Sequence, residues 1–286
     1  MSYVRFASMI LTSTVVMFIL MYLNTYAFEH VFFSETRTYM AILMGATMAF
    51  IMLAFMLGMY KNTTLNIAIF VGAIIVFALS LWLVRSQVTV SGPSYMRAMI
   101  PHHSIAVMTS ERAQIRDKRV RKLADEITDA QRKEIAEMRF LITDISNGNV
   151  VDKIYEDPEP ELGTVEDALS NTLISTLDPA PVAESESDKV LESGPRCRFN
   201  RSPESDPILW AAAQGQAGVM KLNGVIIPLQ SAQQADETQR SFSAEGGLSM
   251  QVRMLGDDAD WRADAELVFS LEQGLSVGYR GFYSCS

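Results

Sequence analysis

Three long stretches without a charged side chain constrain this 286-residue chain more than any other feature. Residues 6–28, 38–60 and 62–84 each contain 23 residues and no Asp, Glu, Lys or Arg. A helix of that length is about 34 Å long, enough to cross the ~30 Å hydrocarbon core of a bilayer. The sequence therefore predicts an integral membrane protein with three transmembrane helices in residues 1–86, surrounded by membrane lipid.

The second span carries methionines at a regular spacing of four residues, which places them along one face of the helix. A stripe of thioethers can bind a soft metal such as Cu(I), but methionine is also a flexible filler of apolar contacts. Both interpretations are open for this set, which consists of Met40, Met44, Met48, Met52 and Met56.

Cys197 and Cys285 bracket the last 90 residues and are the only cysteines in the chain. Such a pair predicts a disulfide that closes one domain in an oxidising compartment. Because three spans place the termini on opposite sides of a membrane, we expect a cytoplasmic N-terminus. The predicted location is the bacterial inner (cytoplasmic) membrane with the C-terminal part in the periplasm, although the few flanking Lys and Arg residues lean slightly the other way.

The part of the chain beyond the membrane changes composition in three steps. Residues 94–145 are charged and strongly periodic, which predicts a helical hairpin. Residues 146–194 predict a solvated linker, since 152–192 holds twelve acidic residues and two lysines, a balance of −10. Residues 195–286 alternate apolar and polar side chains between Gly-rich breaks, as at Leu248, Met250, Val252 and Met254, which predicts a small antiparallel β domain (a sheet, sandwich or barrel) of unknown partner. The net charge of −9 argues against nucleic acid as a partner.

Two adjacent histidines near the start of the hairpin are the most informative feature for chemistry. At 100° per residue, Met96, Met99 and His103 fall within about 60° of one another on a helix, and His102 lies beside Met99. Imidazole and thioether together form a ligand set for a soft metal, and copper in both oxidation states accepts imidazole. Adjacent histidines and core methionines without any metal are the competing interpretation.

The second helix of the hairpin has an apolar face with two polar interruptions, Gln131 and Glu134. A polar side chain at such a position needs a partner or costs about 1–3 kcal/mol, so we expect imidazoles of the facing helix as partners. The predicted buried face consists of Val120, Leu123, Ala124, Ile127, Ile135, Met138, Leu141 and Ile142.

The combination of Met99-Ile100-Pro101-His102-His103 with Gln131-x-x-Glu134-Ile135-x-x-Met138 resembles the family called domain of unknown function 305. The resemblance covers about residues 95–145 and implies a ferritin-like bundle in which some periplasmic members bind copper through His and Met. It also implies signature roles for His102, His103, Met99, Glu134 and Met138. Because one hairpin is only half of a four-helix bundle, a homodimer or higher homo-oligomer through the hairpin is expected.

The expected fold class is therefore mixed: three transmembrane helices, an extramembrane α-helical hairpin and a C-terminal antiparallel β domain. The leading hypothesis is a non-enzymatic protein that binds Cu(I) or Cu(II) in metal handling or tolerance, with ligands Met96, Met99, His102, His103, Glu134 and Met138. A di-iron enzyme is disfavoured because no Glu is followed three residues later by His. The alternative is a structural or assembly protein of the cell envelope whose helices oligomerise and whose β domain binds a partner.

Overall fold

The computed structural model describes residues 2–156, 177–232, 238–272 and 274–286. The chain forms two compact units, Met1–Ala113 and Gln114–Ser286.

The first unit contains four α-helices. Three of them begin at a polar residue, Ser2, Ser34 or Asn62, whose side chain accepts a hydrogen bond from a backbone N–H of the first turn. The four helices are α1 (Tyr3–Leu20), α2 (Glu35–Phe55), α3 (Thr63–Ser86) and α4 (Gly92–Arg112).

Helices α1, α2 and α3 are long and apolar enough to cross a membrane, as the sequence predicted. Most of their large apolar side chains face outward, which is the arrangement that a lipid environment favours. The helices approach closely where side chains are small: a Cβ added at Gly45 of α2 would collide with Thr14 of α1. At the other end, Tyr3 Oη donates to Asn66 Oδ1 at 2.8 Å and thereby joins α1 to α3.

The second unit is built around a closed barrel of eight antiparallel strands in sequential order, with the last strand pairing with the first. The predicted β domain is therefore a barrel, an arrangement that leaves no free sheet edge. The strands are β1 (Arg196–Asn200), β2 (Leu209–Ala212), β3 (Ala217–Leu222), β4 (Val225–Ser231), β5 (Gln239–Ala244), β6 (Leu248–Met254), β7 (Ala265–Leu271) and β8 (Ser276–Cys285).

The closure of the barrel brings the two cysteines together. Cys197 of β1 lies directly opposite Cys285 of β8, and the two residues form the predicted disulfide across a sequence separation of 88 residues. Close approach between the same strands requires Gly281, since a Cβ there would collide with the carbonyl oxygen of Asn200. The interior of the barrel is filled by large side chains, including the fully buried Phe242 and Phe269.

Helix α5 (Lys118–Ser146) belongs to the second unit, where its C-terminal half packs against the barrel. A Cβ added at Gly278 of β8 would collide with the ring of Phe140, and Arg139 Nη1 donates to the carbonyl oxygen of Arg262 at 2.7 Å. The apolar face of α5 is thus partly covered by a β-sheet, so the predicted half of a ferritin-like bundle is not what the structure shows.

The predicted buried face of α5 is correct only for part of the helix. Ala124 and the residues Ile135, Met138 and Ile142 are buried, whereas Val120, Leu123 and Ile127 are exposed.

Part of the predicted linker packs on the barrel instead of being solvated. Ala180 pairs with Lys221 of β3, and Trp210 Nε1 donates to the carbonyl oxygen of Val182 at 3.0 Å. Val182 and Leu191 are buried against the outside of the barrel, around the short helix α6 (Glu184–Ser187). The acidic composition predicted a solvated linker, but a few apolar residues are sufficient to hold this segment against the barrel. Residues 157–176 of the predicted linker lie outside the described residues.

Candidate functional site

The four metal ligands predicted on α4 do not face the same environment. Met96 is buried, Met99 and His103 are half-buried, and His102 is exposed. The rings of His102 and His103 are tilted, with centroids 6.1 Å apart, because successive residues of a helix project in directions about 100° apart. Met99 and His103, one turn apart, are the pair that shares both a helix face and partial exposure.

The third histidine of the chain, which the sequence analysis missed, contacts α4 instead. His30 is buried in the α1–α2 connection, and its Nδ1 lies 2.9 Å from Oγ of Ser104. The same hydroxyl accepts a hydrogen bond from the backbone N–H of Tyr26 at 3.0 Å. Ser104 is fully buried. Its position among the apolar residues of α4 was the sequence signal that α4 packs against another polar group, because buried hydroxyls are hydrogen-bonded.

The two ligands predicted on α5 lie in the second unit. Glu134 accepts a hydrogen bond from Gln131 Nε2 at 3.1 Å, so the two polar interruptions of the apolar face bind each other. Residues three apart on a helix are neighbours, so Gln131 is one partner of Glu134. Met138 is buried.

The six predicted metal ligands are divided between the two units. Four of the predicted ligands belong to the first unit and two to the second. Within the described part of the chain, no group of three or more His, Cys, Asp or Glu side chains is placed to hold a metal ion.

A charged cavity of about 130 Å³ lies in the second unit, between α5 and the loop that follows β1. We use the name charged cavity for the space lined by the carboxylates Asp129, Glu204 and Asp206 and the guanidinium groups of Arg132 and Arg201, together with Pro181, Ser205 and Ile208.

The loop that follows β1 is held in place by its own hydrogen bonds. Asn200 Nδ2 donates to the carbonyl oxygen of Ser205 at 2.6 Å, and the N–H of Ser202 donates to Ser205 Oγ at 3.0 Å. Both Asn200 and Ser202 are buried. The loop therefore presents Glu204 and Asp206 at the cavity from a fixed backbone.

Arg201 forms the inner wall of the charged cavity and is 5% exposed. Its Nη2 donates to the carbonyl oxygen of Pro179 at 2.5 Å and to Asp178 Oδ1 at 3.3 Å. Its guanidinium carbon lies 4.5 Å from the centre of the Tyr279 ring, and Asp178 also pairs with Lys133 of α5. The positive charge of Arg201 is thus largely satisfied by the protein itself.

The three carboxylates of the cavity are less well compensated. Within the described residues, no ion pair of Asp129, Glu204 or Asp206 is present, whereas Arg132 has further interactions of its own. Desolvation raises the pKa of Asp129, and repulsion from Asp125 and Asp206 adds to the effect, against the attraction of Arg132 and Arg201. The cavity therefore has an excess of negative charge at its mouth.

Sequence reasoning missed this cavity because its residues are separated by about 70 positions. Residues 201–206 follow a strand and read as an ordinary polar turn, and Asp129 lies on the polar face of a helix. The only available signal was the density of charge in these two short segments, which is typical of any solvated surface.

Comparison with known proteins assigns the second half of the chain to a family. The family described as "Domain of unknown function (DUF6692)" matches residues 141–286. The chain is also similar to "Uncharacterized protein L153" of Acanthamoeba polyphaga mimivirus, with 32% identity over 145 residues, 47% of this chain and 91% of the relative. No solved structure matches the chain significantly.

These findings correct the resemblance to domain of unknown function 305. The family that matches is a different one, and its match begins at residue 141, after the histidine motif. The motif was misleading because amphipathic helices with methionine and histidine share a short pattern without sharing a fold.

Proposed function

We propose that this chain, which belongs to the DUF6692 family through its C-terminal half, is a membrane-anchored, non-enzymatic binding protein. Three membrane spans anchor the chain, and the charged cavity binds a basic group, such as a Lys or Arg side chain, of a partner protein. The observation that carries this proposal is the set of three carboxylates without an ion pair among the described residues, around a cavity of about 130 Å³.

The filled interior of the barrel favours binding at its surface. Barrels of eight strands can hold a small ligand inside, but only if the interior is left open. Here Phe199, Phe242, Phe269 and Tyr279 are fully buried in the interior, together with Met220 and Met250. A partner that binds at the rim, where α5 meets the β1–β2 loop, is compatible with this packing.

The disulfide supports the proposed location of the barrel. Cys197 and Cys285 are oxidised in the folded domain, as expected in a compartment such as the bacterial periplasm. We therefore keep the proposed topology, with the N-terminus in the cytoplasm of a bacterium and the barrel in the periplasm, anchored at the inner membrane. This topology places the charged cavity where envelope proteins can reach it.

The proposal is tested by measuring the binding of a tetralysine peptide to the full chain in detergent. A tetraglutamate peptide, of opposite charge, is the control. The variant Asp129→Asn/Glu204→Gln/Asp206→Asn removes three charges from the cavity and is expected to weaken tetralysine binding by about tenfold or more. The matched control removes three charges from exposed positions elsewhere on the barrel, Glu245→Gln/Asp257→Asn/Asp258→Asn.

The control separates a site from general attraction to an acidic protein. Unchanged binding by the control variant, together with loss in the cavity variant, supports the proposal. Equal effects of the two variants, or no preference of the wild-type chain for tetralysine over tetraglutamate, would overturn it. Thermal unfolding of both variants checks that the barrel is intact.

Soft-metal binding by α4 is a second proposal, now restricted to one helix. It is favoured by the Met99–His103 pair, whose members are one turn apart and partly exposed. We expect His103→Ala to weaken binding of Cu(I) and Cu(II), and Met99→Leu to weaken Cu(I) mainly, because the thioether is a soft ligand. His102→Ala serves as the comparison on a more exposed face. Copper binding that is equal in wild type and in His103→Ala would rule out this site.

A further inference from the structure

The connection between α1 and α2, residues 21–34, exposes large apolar side chains although it lies outside the α-helices. Leu23, Phe28 and Phe33 are 74%, 77% and 64% exposed. Among the residues of the connection, only Glu29 carries a full charge. Apolar side chains of this size, exposed at three points of one short connection, indicate contact with an apolar environment outside the chain.

The position of Phe33 indicates that this environment is the bilayer. The centre of its ring lies 6.4 Å from that of Phe18, which belongs to the last turn of α1. The neighbouring residues of the same turn, Ile19 and Leu20, are exposed, as expected for a helix in lipid. With 18 residues, α1 is about 27 Å long, slightly less than the ~30 Å hydrocarbon core. The lipid that surrounds α1 therefore extends beyond its end to the connection.

Side chains of the first unit bind backbone groups of the connection that water would otherwise solvate. Arg37 Nη1 donates to the carbonyl oxygen of Met21 at 2.7 Å, at the end of α1, where carbonyl groups lack partners within the helix. The N–H of Ser34 donates to Tyr22 Oη at 3.1 Å. Irregular backbone at membrane depth requires such internal partners, since lipid tails offer none.

We propose that the α1–α2 connection is a lipid-contacting surface, embedded at the boundary between headgroups and acyl chains of the leaflet in which α1 ends. Leu23, Phe28 and Phe33 insert among the lipids. Segments that lie in the plane of a membrane interface use Phe and Leu in this way and reach a depth of roughly 5–10 Å. This inference goes beyond the proposed function, because it concerns the first unit and not the charged cavity.

The embedded connection also fixes α4 at the membrane surface. Ser104 of α4 accepts the N–H of Tyr26 at 3.0 Å and lies 2.9 Å from Nδ1 of His30, and both partners belong to the connection. Between residues 92 and 110, α4 contains a single fully charged side chain, Arg97. A helix with so little charge suits the headgroup layer better than a position surrounded by water. The Met99 side chain on this helix is therefore held close to the bilayer.

The experiment measures the environment of single positions in a bilayer. Leu23→Cys, Phe28→Cys and Phe33→Cys, each in the full chain, are labelled with a thiol-reactive nitroxide and reconstituted in vesicles of phosphatidylcholine and phosphatidylglycerol. Cys197 and Cys285 are bonded to each other, so the introduced cysteine is the only reactive thiol. The collision rate of each nitroxide is measured with oxygen, which concentrates in the bilayer, and with a water-soluble nickel chelate.

Two further positions provide the matched references. Ile75→Cys, at a 52% exposed position of α3, gives the ratio of oxygen to chelate collisions in lipid, and Val225→Cys, at a 62% exposed position of β4, gives the ratio in water. We expect the ratio at each of the three connection positions to exceed that at Val225 several-fold and to approach that at Ile75. Circular dichroism checks that every labelled chain is folded.

Two results would overturn the proposal. A ratio equal to that at Val225 would place the connection in water. Low collision rates with both reagents would mean that protein covers these side chains, either a second copy of the chain or a partner. If Ile75 also showed the ratio typical of water, membrane anchoring itself would fail, and the proposed function with it. The tetralysine measurement in detergent depends on the second unit and is independent of these outcomes.

Discussion

The two units of this chain differ in where they place large apolar side chains, which are exposed on the helices of the first unit and buried inside the barrel of the second. In α2, the phenylalanine at position 55 is 89% exposed, whereas Phe242 and Phe269 in the barrel are 1% and 0% exposed. The difference reflects the solvent for which each unit is built: hydrocarbon accepts an exposed phenyl ring, and water does not. Exposure of large apolar residues is therefore informative only when the surrounding medium is known.

Polar contacts show the converse difference. Asn66 is buried in α3, where it accepts from Tyr3 and donates to the carbonyl oxygen of Tyr60 at 2.9 Å. In the barrel, the buried Glu266 is held by two cations, Arg253 at 2.6 Å and Arg280 at 2.8 Å. The buried amide of Asn66 is thus satisfied by neutral partners, while the buried carboxylate of Glu266 is held by full charges.

The largest difference between the units is expected on loss of the disulfide. The bond closes a loop with a sequence separation of 88 residues, which in the chain-entropy account stabilises the barrel by about 4–5 kcal/mol. Cys197→Ser/Cys285→Ser should lower the thermal unfolding temperature of the barrel and leave the helical signal of the first unit intact. Circular dichroism in the far and near ultraviolet separates the two. A barrel that unfolds at the wild-type temperature would show that strand pairing alone is sufficient.

A truncated phenyl ring tests the comparison directly. Phe269→Ala leaves a cavity in the filled barrel and is expected to cost about 3–5 kcal/mol. Phe55→Ala removes the same ring from the exposed surface of a candidate membrane span, and a change within about 0.5 kcal/mol is expected. Chemical unfolding of both variants in the same detergent measures the difference. Similar losses would mean that the ring of Phe55 is covered by protein and not by lipid.

Two glycines allow a finer comparison of backbone packing. Gly281→Ala forces a methyl group against the carbonyl oxygen of Asn200, and overpacking of this kind costs about 1–3 kcal/mol. Gly45→Ala forces it against the side chain of Thr14, which can move farther than a barrel strand. We therefore expect Gly281→Ala to be the more destabilising of the two in thermal unfolding. The reverse order would indicate that α1 and α2 are the more rigid pair.

The smallest expected effect concerns Glu137, which lies on α5 in the second unit. Desolvation raises the pKa of its carboxyl group, with Asp178 and Glu134 adding to the shift and Lys133 and Arg201 opposing it. The folded protein therefore binds the proton of Glu137 more tightly than the unfolded chain does. Protonated Glu137 contributes its full stabilisation of the fold below the ordinary pKa of 4.5, and this contribution is lost as the pH rises through the pKa of the folded state.

Glu137→Gln should accordingly unfold at a slightly higher temperature than wild type at neutral pH, with the gain disappearing in acid. The exposed Glu245→Gln is the control and should show no such pH-dependent gain. A gain that persists unchanged at pH 4 would contradict the assignment of the effect to ionisation.

Local patterns in the sequence were sufficient for several features of the structure. The uncharged windows predicted the three spans, because helix length and polarity decide alone whether a segment fits a bilayer. Alternation at Leu248, Met250 and Val252 predicted a strand with one buried face, which β6 confirms. Two cysteines at the ends of one domain predicted the disulfide, since no other pairing within the chain exists.

Only the tertiary structure shows which elements pack against each other. The periodicity of α5 showed that one face of the helix is apolar. It did not show that the barrel covers the C-terminal half of that face, because a β-sheet and a second helix can bury the same apolar face equally well. The alternation also did not decide among a sheet, a sandwich and a barrel, since it describes one strand and closure depends on the pairing of β1 with β8. The charged cavity joins Asp129 to residues 201–206 by packing alone. Short-range periodicity therefore determined the elements of this protein, and long-range contact, which leaves no local pattern, determined its candidate site.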